Sequence, residues 1–204
     1  MSFEYSDFQF SPVLVLPADY EVYDFSAAYD PGRSRFSEYG VGRYNEKRPG
    51  MYNTELFASD PEAIRDIHLG IDIAAPAGTP VHAAYAGRLF MTAVRDGAGD
   101  YGGTVILEHT LRNASVTKKI WALYGHLSHA SAVARPPGTE VTAGEVIGWL
   151  GEKAENGGWN PHLHYQLSWK QPEQCDMPGT VNEKNLEAAL QIYPDPRLIL
   201  GPLY

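Results

Sequence analysis

The 204-residue chain holds a single cysteine, Cys175, so no internal disulfide can staple it. A lone thiol of this kind reads as a small packed residue. Long apolar runs are also missing: none approaches the ~18 residues of a membrane span. Positive charge is scarce, with 16 Lys and Arg against 25 Asp and Glu and a formal net charge of −9. No basic stripe exists to neutralise phosphates, which argues against nucleic acid as a partner. The same deficit offers no attraction to an anionic wall or membrane surface. The N-terminus, MSFEYSDFQF, carries acids where a signal peptide carries Lys or Arg, and the nearby apolar stretch Val13 to Leu16 is too short for its core. The expectation is therefore a soluble, cytoplasmic chain, unless a leader has been removed. HExxH is absent as well, and with it the glutamate base of that metalloprotease class.

What is present is punctuation. The 20 glycines and 15 prolines mostly separate short apolar runs, a pattern of many short strands rather than long helices. The length fits one core with room for an appendage. Residues 1–60 hold seven of the 13 tyrosines and show no sustained period. The stretch YDPGRSRFSEYGVGRYNEKRPGMY reads as turns with a few short strands, and its aromatic content predicts an extension packed on the main body. Residues 61–170 form that body, with VHAAYAGRLF, TVILEHT, KKIWALYGHL, EVIGWLG and LHYQLSW as β-branched and aromatic strands. A G-T-x-V pattern recurs at Gly78 and Gly138 and points to two related hairpin units in a barrel-like or sandwich-like sheet. Residues 171–204 form a tail with one short helix, Glu183 to Ile192, stopped by Pro194.

Four of the seven histidines fall in three places: His68-x-x-x-Asp72, Tyr124-Gly-His126-Leu-Ser128 and His162-Leu-His164. An HxxxD pair alone is common on surfaces. On one strand His162 and His164 share a face while Leu163 points the other way, which suits either a metal site or a polar outer face. Residues four apart on a straight strand are ~13 Å distant, too far to share an ion bound at ~2.0–2.2 Å. The chain must therefore bend between His68 and Asp72, where Gly70 permits it. A His/Asp/His set makes a three-ligand zinc site with one position left for water. Softer metals favour thiolate, and calcium favours more oxygens.

The segments IHLGIDIAAPAGTPVHAAYAGRL, DYGGTVILEH, LYGHLS, PPGTEVTAGEVIGWLG and NGGWNPHLHYQL fall in one order over about half the chain. Together they resemble the lysostaphin and LytM type of zinc metallopeptidase, mostly peptidoglycan endopeptidases. The resemblance implies a mainly β, antiparallel, sandwich-like peptidase core of the duplicated-hybrid-motif kind, with an irregular N-terminal extension and a short C-terminal helix. It implies zinc as cofactor, held by His68, Asp72 and His164, with His126 and His162 as catalytic histidines. His162 is expected to transfer the proton and His126 to stabilise the carbonyl oxygen, although the two roles could be exchanged. The substrate implied is a peptide bond in peptidoglycan cross-links or muropeptides. An acidic chain without a wall-binding module also suits a zinc amide hydrolase acting on an intracellular, non-murein peptide. Nothing in the sequence speaks to oligomeric state.

The remaining histidines, His82, His109 and His129, read as structural or loop residues. Tyr101 and the segment Asn156 to Trp159 are expected to bound the substrate groove, though turn formation explains those glycines equally well. A cupin-like oxygenase also uses an HxH strand, but its following glutamate is missing between Tyr165 and Lys170. A lipoyl-like carrier needs a modifiable lysine at a hairpin tip, and neither G-T-x-V unit has one.

Overall fold

The computed structural model describes residues 5–27, 38–52, 55–58, 64–114 and 116–204. The central part of the turn-rich N-terminal stretch, residues 28–37, lies outside the described residues. Twelve strands occur among the described residues: β1 (Glu21–Val22), β2 (Gly40–Gly42), β3 (Ile67–His68), β4 (Ile71–Ala74), β5 (Pro80–His82), β6 (Gly87–Arg95), β7 (Gly102–Arg112), β8 (Thr117–Leu127), β9 (Glu140–Val141), β10 (Val146–Trp149), β11 (His162–Ser168) and β12 (Thr180–Val181). The helices are short: α1 (Glu55–Ala58), α2 (His129–Val133), α3 (Leu186–Ile192) and α4 (Arg197–Leu200). The tail helix expected from Glu183 starts as a 3-10 turn, Glu183–Asn185, before α3 takes over.

Eight strands make one sheet in the order β1-β2-β4-β11-β8-β7-β6-β9, antiparallel apart from β1 beside β2. Two-stranded sheets, β5 with β10 and β3 with β12, complete the architecture. The mainly β, antiparallel class expected from the sequence is what the chain adopts. Alternation along β11 explains the layering. Leu163, Tyr165 and Leu167 point into the main core with Val105, Leu107 and Tyr124, while His162, His164 and Gln166 point to the opposite face.

The two G-T-x-V units are reciprocal in space. Thr79 Oγ1 donates to Pro76 O at 2.7 Å, and Thr139 Oγ1 donates to Pro136 O at the same distance. Gly78 N then donates to Leu150 O, and Gly138 N to Leu89 O, so each unit's turn is tied to the strand that follows the other. Each unit thus completes its partner, which locks the pair into one core.

The N-terminal segment packs on this body. Val13 and Leu14 are buried in the main core, and Ser11 N donates to Ala84 O at 2.8 Å. The tail returns to meet it: Tyr20 Oη donates to Leu203 O at 2.8 Å. No described helix is long and apolar enough to cross a membrane.

His109 sits fully buried at the rim of this core, with Nδ1 donating to Ala86 O and Nε2 without a hydrogen-bond partner. Burial pushes its pKa down to about 4. Above the ordinary value near ~6.5 the ring is neutral in both folded and unfolded chains. Between that value and about 4 the unfolded chain takes a proton that the folded chain refuses, so stability falls as pH falls through this window. The cost is on the order of 3 kcal/mol for this one residue. Urea unfolding at pH 7.5 and 4.5 should show a shallower acid loss in His109→Gln than in wild type. Equal losses would contradict the assignment.

Candidate metal centre and active site

Strand register brings the first residues together. Antiparallel pairing of β11 with β4 sets His164 opposite Asp72, and pairing with β8 sets His164 opposite Gly125. His68 arrives from β3, which leaves the large sheet and pairs with β12, Thr180 lying opposite His68. The chain does change direction between His68 and Asp72, but Gly70 is there for a different reason from the expected one. Its backbone has no positive φ. A Cβ at Gly70 would instead lie 2.5 Å from His164 Cε1, so the missing side chain makes room for the imidazole.

Three donor atoms converge at the centre. His68 Nε2 and His164 Nδ1 are 3.1 Å apart, His164 Nδ1 and Asp72 Oδ1 are 3.1 Å apart, and His68 Nε2 and Asp72 Oδ1 are 3.2 Å apart. Ligands at ~2.0–2.1 Å from a tetrahedral ion are separated by roughly 3.3 Å, so the spacing fits one shared cation. The tautomers fit too. His68 Nδ1 faces Arg43 O at 2.9 Å and must donate to it, leaving Nε2 with its lone pair. Gln166 Nε2 donates to Pro178 O, which turns Gln166 Oε1 toward His164 Nε2 at 2.9 Å. His164 therefore carries its proton on Nε2 and offers a lone pair at Nδ1. Two lone pairs and a carboxylate oxygen pointing at one place repel each other unless a cation lies between them. Among the described residues, His68, Asp72 and His164 are the cluster able to hold a metal.

Charge states agree with this. Burial and the Arg48 charge lower His68 to about 4, keeping it neutral. Burial works to raise Asp72, but the Arg48 guanidinium against Oδ2 outweighs it and holds the carboxyl well below its usual range.

His126 and His162 sit beside the cluster with ring centroids 4.2 Å apart. His162 follows from the β11 alternation, but His126 does not. In an unbroken β8, His126 would share the core face with Tyr124. A bulge intervenes: Val105 pairs with Tyr124 and Gly103 with Leu127, so β8 carries one extra residue there. His126 takes φ 62°, its N–H donates to Tyr101 O, and its side chain swings to the groove while Leu127 turns into the core. Both rings have fixed tautomers. His126 Nδ1 donates to Asn156 O at 3.1 Å and His162 Nδ1 to Asn160 O at 2.7 Å, so each Nε2 keeps its lone pair. Burial and the neighbouring His162 and His164 hold His126 well below its ordinary pKa, and burial also lowers His162.

The cluster lies in a groove of about 850 Å³. Tyr101, Gly157, Gly158 and Trp159 line it, but Asn156 is buried behind, where its carbonyl serves His126. The N-terminal segment adds Tyr23, Phe25 and Tyr52 to the wall, and the Tyr52 ring stands 6.0 Å from that of Trp159. His82 and His109 are held by backbone carbonyls, and His129 by Glu155 O, away from the groove. The sequence did not point to Arg48, which is 2% exposed and donates to Asp72 Oδ2 at 2.6 Å. No motif marks it.

Residues 66–177, more than half of the chain, match peptidase family M23. The chain belongs to this family of metallopeptidases. Over 100 residues its M23 region is 38% identical to the DD-carboxypeptidase/endopeptidase Mpg of Neisseria meningitidis and 34% identical to the peptidoglycan DD-endopeptidase ShyA of Vibrio cholerae. Those stretches are 49% of this chain and 20% of each relative, so the chain spans about a fifth of the length of the curated relatives it matches. Among solved structures, the M23 catalytic domain of EnpA from Enterococcus faecalis is 29% identical, with a TM-score of 0.45 over 72% of this chain and 89% of that one. The catalytic domain of lysostaphin from Staphylococcus simulans is 24% identical, with a TM-score of 0.46 over 80% of this chain and 93% of that one.

The Gly70 contact generates a test. Gly70→Ala should displace the His164 imidazole and lower the uptake of added divalent cation at the cluster, with the sheet intact by circular dichroism. Full occupancy in the folded variant would contradict the close approach.

Proposed function

We propose that the chain is a zinc-dependent endopeptidase that hydrolyses a peptide bond in peptidoglycan cross-links or muropeptides. The observation that carries this reading is the convergence of three lone-pair donors beside two further neutral imidazoles in one groove. Metal-assisted peptide-bond hydrolysis needs an ion and a proton acceptor side by side, and the site holds residues suited to both. The murein substrate is supported by the printed activities of the Neisseria and Vibrio relatives. In this reading His68, Asp72 and His164 are the zinc ligands and His126 and His162 the catalytic pair, within a core of residues 61–170 flanked by an extension and a tail.

When bound, the ion supplies Lewis acidity, which lowers the pKa of water toward ~7 and polarises a carbonyl. The remaining steps belong to the chain. His162 presents its Nε2 lone pair 3.7 Å from Asp72 Oδ1, in position to accept a proton from the nucleophile. It is also the less strongly depressed of the two imidazoles, which suits it to that task. His126 is equally a lone-pair acceptor while neutral, so it can donate to a developing oxyanion only as an imidazolium. The rings are too close to be charged together at little cost, and the pair therefore works with one proton between them.

Wild-type protein loaded with zinc should hold about one ion per chain by elemental analysis. His68→Ala, Asp72→Ala and His164→Ala should each lose most of it, because two ligands hold zinc poorly. Retention of full zinc in all three would overturn the ligand set. His126→Ala and His162→Ala should keep zinc while hydrolysis falls ~10²–10⁴-fold. Variants within a few-fold of wild type would remove the catalytic assignment.

The substrate is tested by incubating the zinc protein with defined muropeptides and unrelated peptides and reading products by mass spectrometry. Cleavage of unrelated peptides alone would favour the non-murein amide hydrolase. The pH profile of kcat/KM follows from the lowered His162 value. Activity should be lost as pH falls, when His162 takes up a proton, and that acid limb should lie below the pKa of a free imidazole. A limb above it would contradict the assignment.

A further inference from the structure

Asp72 divides its carboxylate. Oδ1 faces His68 and His164, while Oδ2 accepts from Arg48 Nη1 at 2.6 Å. Arg48 comes from outside the stretch that matches the family, which begins at residue 66. Its guanidinium is enclosed on every side: Nε donates to Glu46 Oε2 at 3.0 Å, Nη1 also to Tyr52 Oη at 2.9 Å, and Nη2 to Arg43 O at 3.2 Å. The Phe25 ring covers one face at 4.7 Å. Gly42 leaves the space, since a Cβ there would lie 2.8 Å from Arg48 Nη2. The carbonyl of Arg43 is shared, because it also accepts from His68 Nδ1. Main-chain bonds fix the whole segment beside β3: Asn45 N to His68 O, His68 N to Glu46 O, and Arg48 N to Asp66 O.

We infer that residues 43–52 are a positioning clamp for the metal centre, in which Arg48 holds Asp72 to single-oxygen coordination and the Arg43 carbonyl fixes the tautomer of His68. The inference rests on the zinc reading above and extends it to residues beyond the family-matched region. The geometry favours a positional role. A guanidinium this close to a divalent cation would weaken binding by repulsion, and Glu46, buried against it at 3.0 Å, offsets part of that repulsion. What remains is direction: the fork pins Oδ2 and leaves Oδ1 free. Partners of this kind are typically worth ~10–100-fold in metal affinity.

The test is a double variant, Glu46→Gln with Arg48→Met, which removes both members of the buried Glu46–Arg48 pair and so leaves no unpaired charge at position 46. Zinc affinity is read by chelator competition, coordination by the visible spectrum of the cobalt-substituted protein, and folding by the melting temperature of the zinc-free form. A weakening of zinc binding by ~10–100-fold is expected. The cobalt absorption should also lose intensity, as Asp72 swings to two-oxygen coordination, while the zinc-free form still melts in one cooperative transition, at a temperature lowered by the loss of Arg48 beside Asp72. Wild-type affinity and spectrum in a folded double variant would overturn the clamp alone. Failure of wild-type protein to take up zinc would overturn the metal assignment and the clamp with it. If the double variant does not fold, Arg48→Lys decides. Lysine offers a point charge instead of a fork, so a several-fold loss of affinity with an altered cobalt spectrum supports the clamp, and unchanged values reject it.

Discussion

A slip of one residue between β11 and β4 would carry His164 away from Asp72 and turn both histidines of the HxH pair toward the core. The whole site depends on that register. It is held by the hydrophobic alternation of β11, whose Leu163, Tyr165 and Leu167 have room on one face only. Fixing the strand by its apolar residues fixes the polar ones automatically, because the two sets alternate. The core and the candidate metal centre are therefore two sides of one constraint. The histidines are locked further by acceptors behind them, Arg43 O, Gln166 Oε1, Asn156 O and Asn160 O, each of which decides where a proton sits.

How much of this was legible in the sequence varies with how local the cause is. The HxH pair was readable because strand alternation is a property of three consecutive residues. The mainly β body was readable for the same reason, from short apolar runs between glycines and prolines. His126 was placed by resemblance alone, since simple alternation along KKIWALYGHL assigns it to the wrong face. Only the pairing partner β7 reveals the extra residue that turns it. Gly70 was noticed, but its cause is the ring of a residue 94 positions away, which no local pattern carries. Arg48 was missed altogether. Buried arginines have no period and no motif, and this one sits among turns whose geometry depends on contacts with β3.

The extension and the tail matter for the same non-local reason. Tyr23, Phe25 and Tyr52 supply an aromatic wall to a groove whose floor comes from the sheet. The main core is shared as well, with Val13 and Leu14 filling it beside Ile147 and Leu150. The family-matched stretch from 66 to 177 therefore does not close its own site or its own core in this chain. Likeness to relatives over that stretch speaks to the strands that carry the four histidines and to most of the groove, whereas one aromatic wall comes from the segment before it.

The bulge that presents His126 has a further consequence. A left-handed backbone costs any residue other than glycine about 1 kcal/mol or more, and asparagine bears it more easily than histidine. Under the proposed function, the relaxed choice of residue at position 126 and the chemically useful one are thus different. Selection for thermal endurance alone, in a laboratory screen or in a lineage freed from the need to cut, pulls this position toward Asn or Gly.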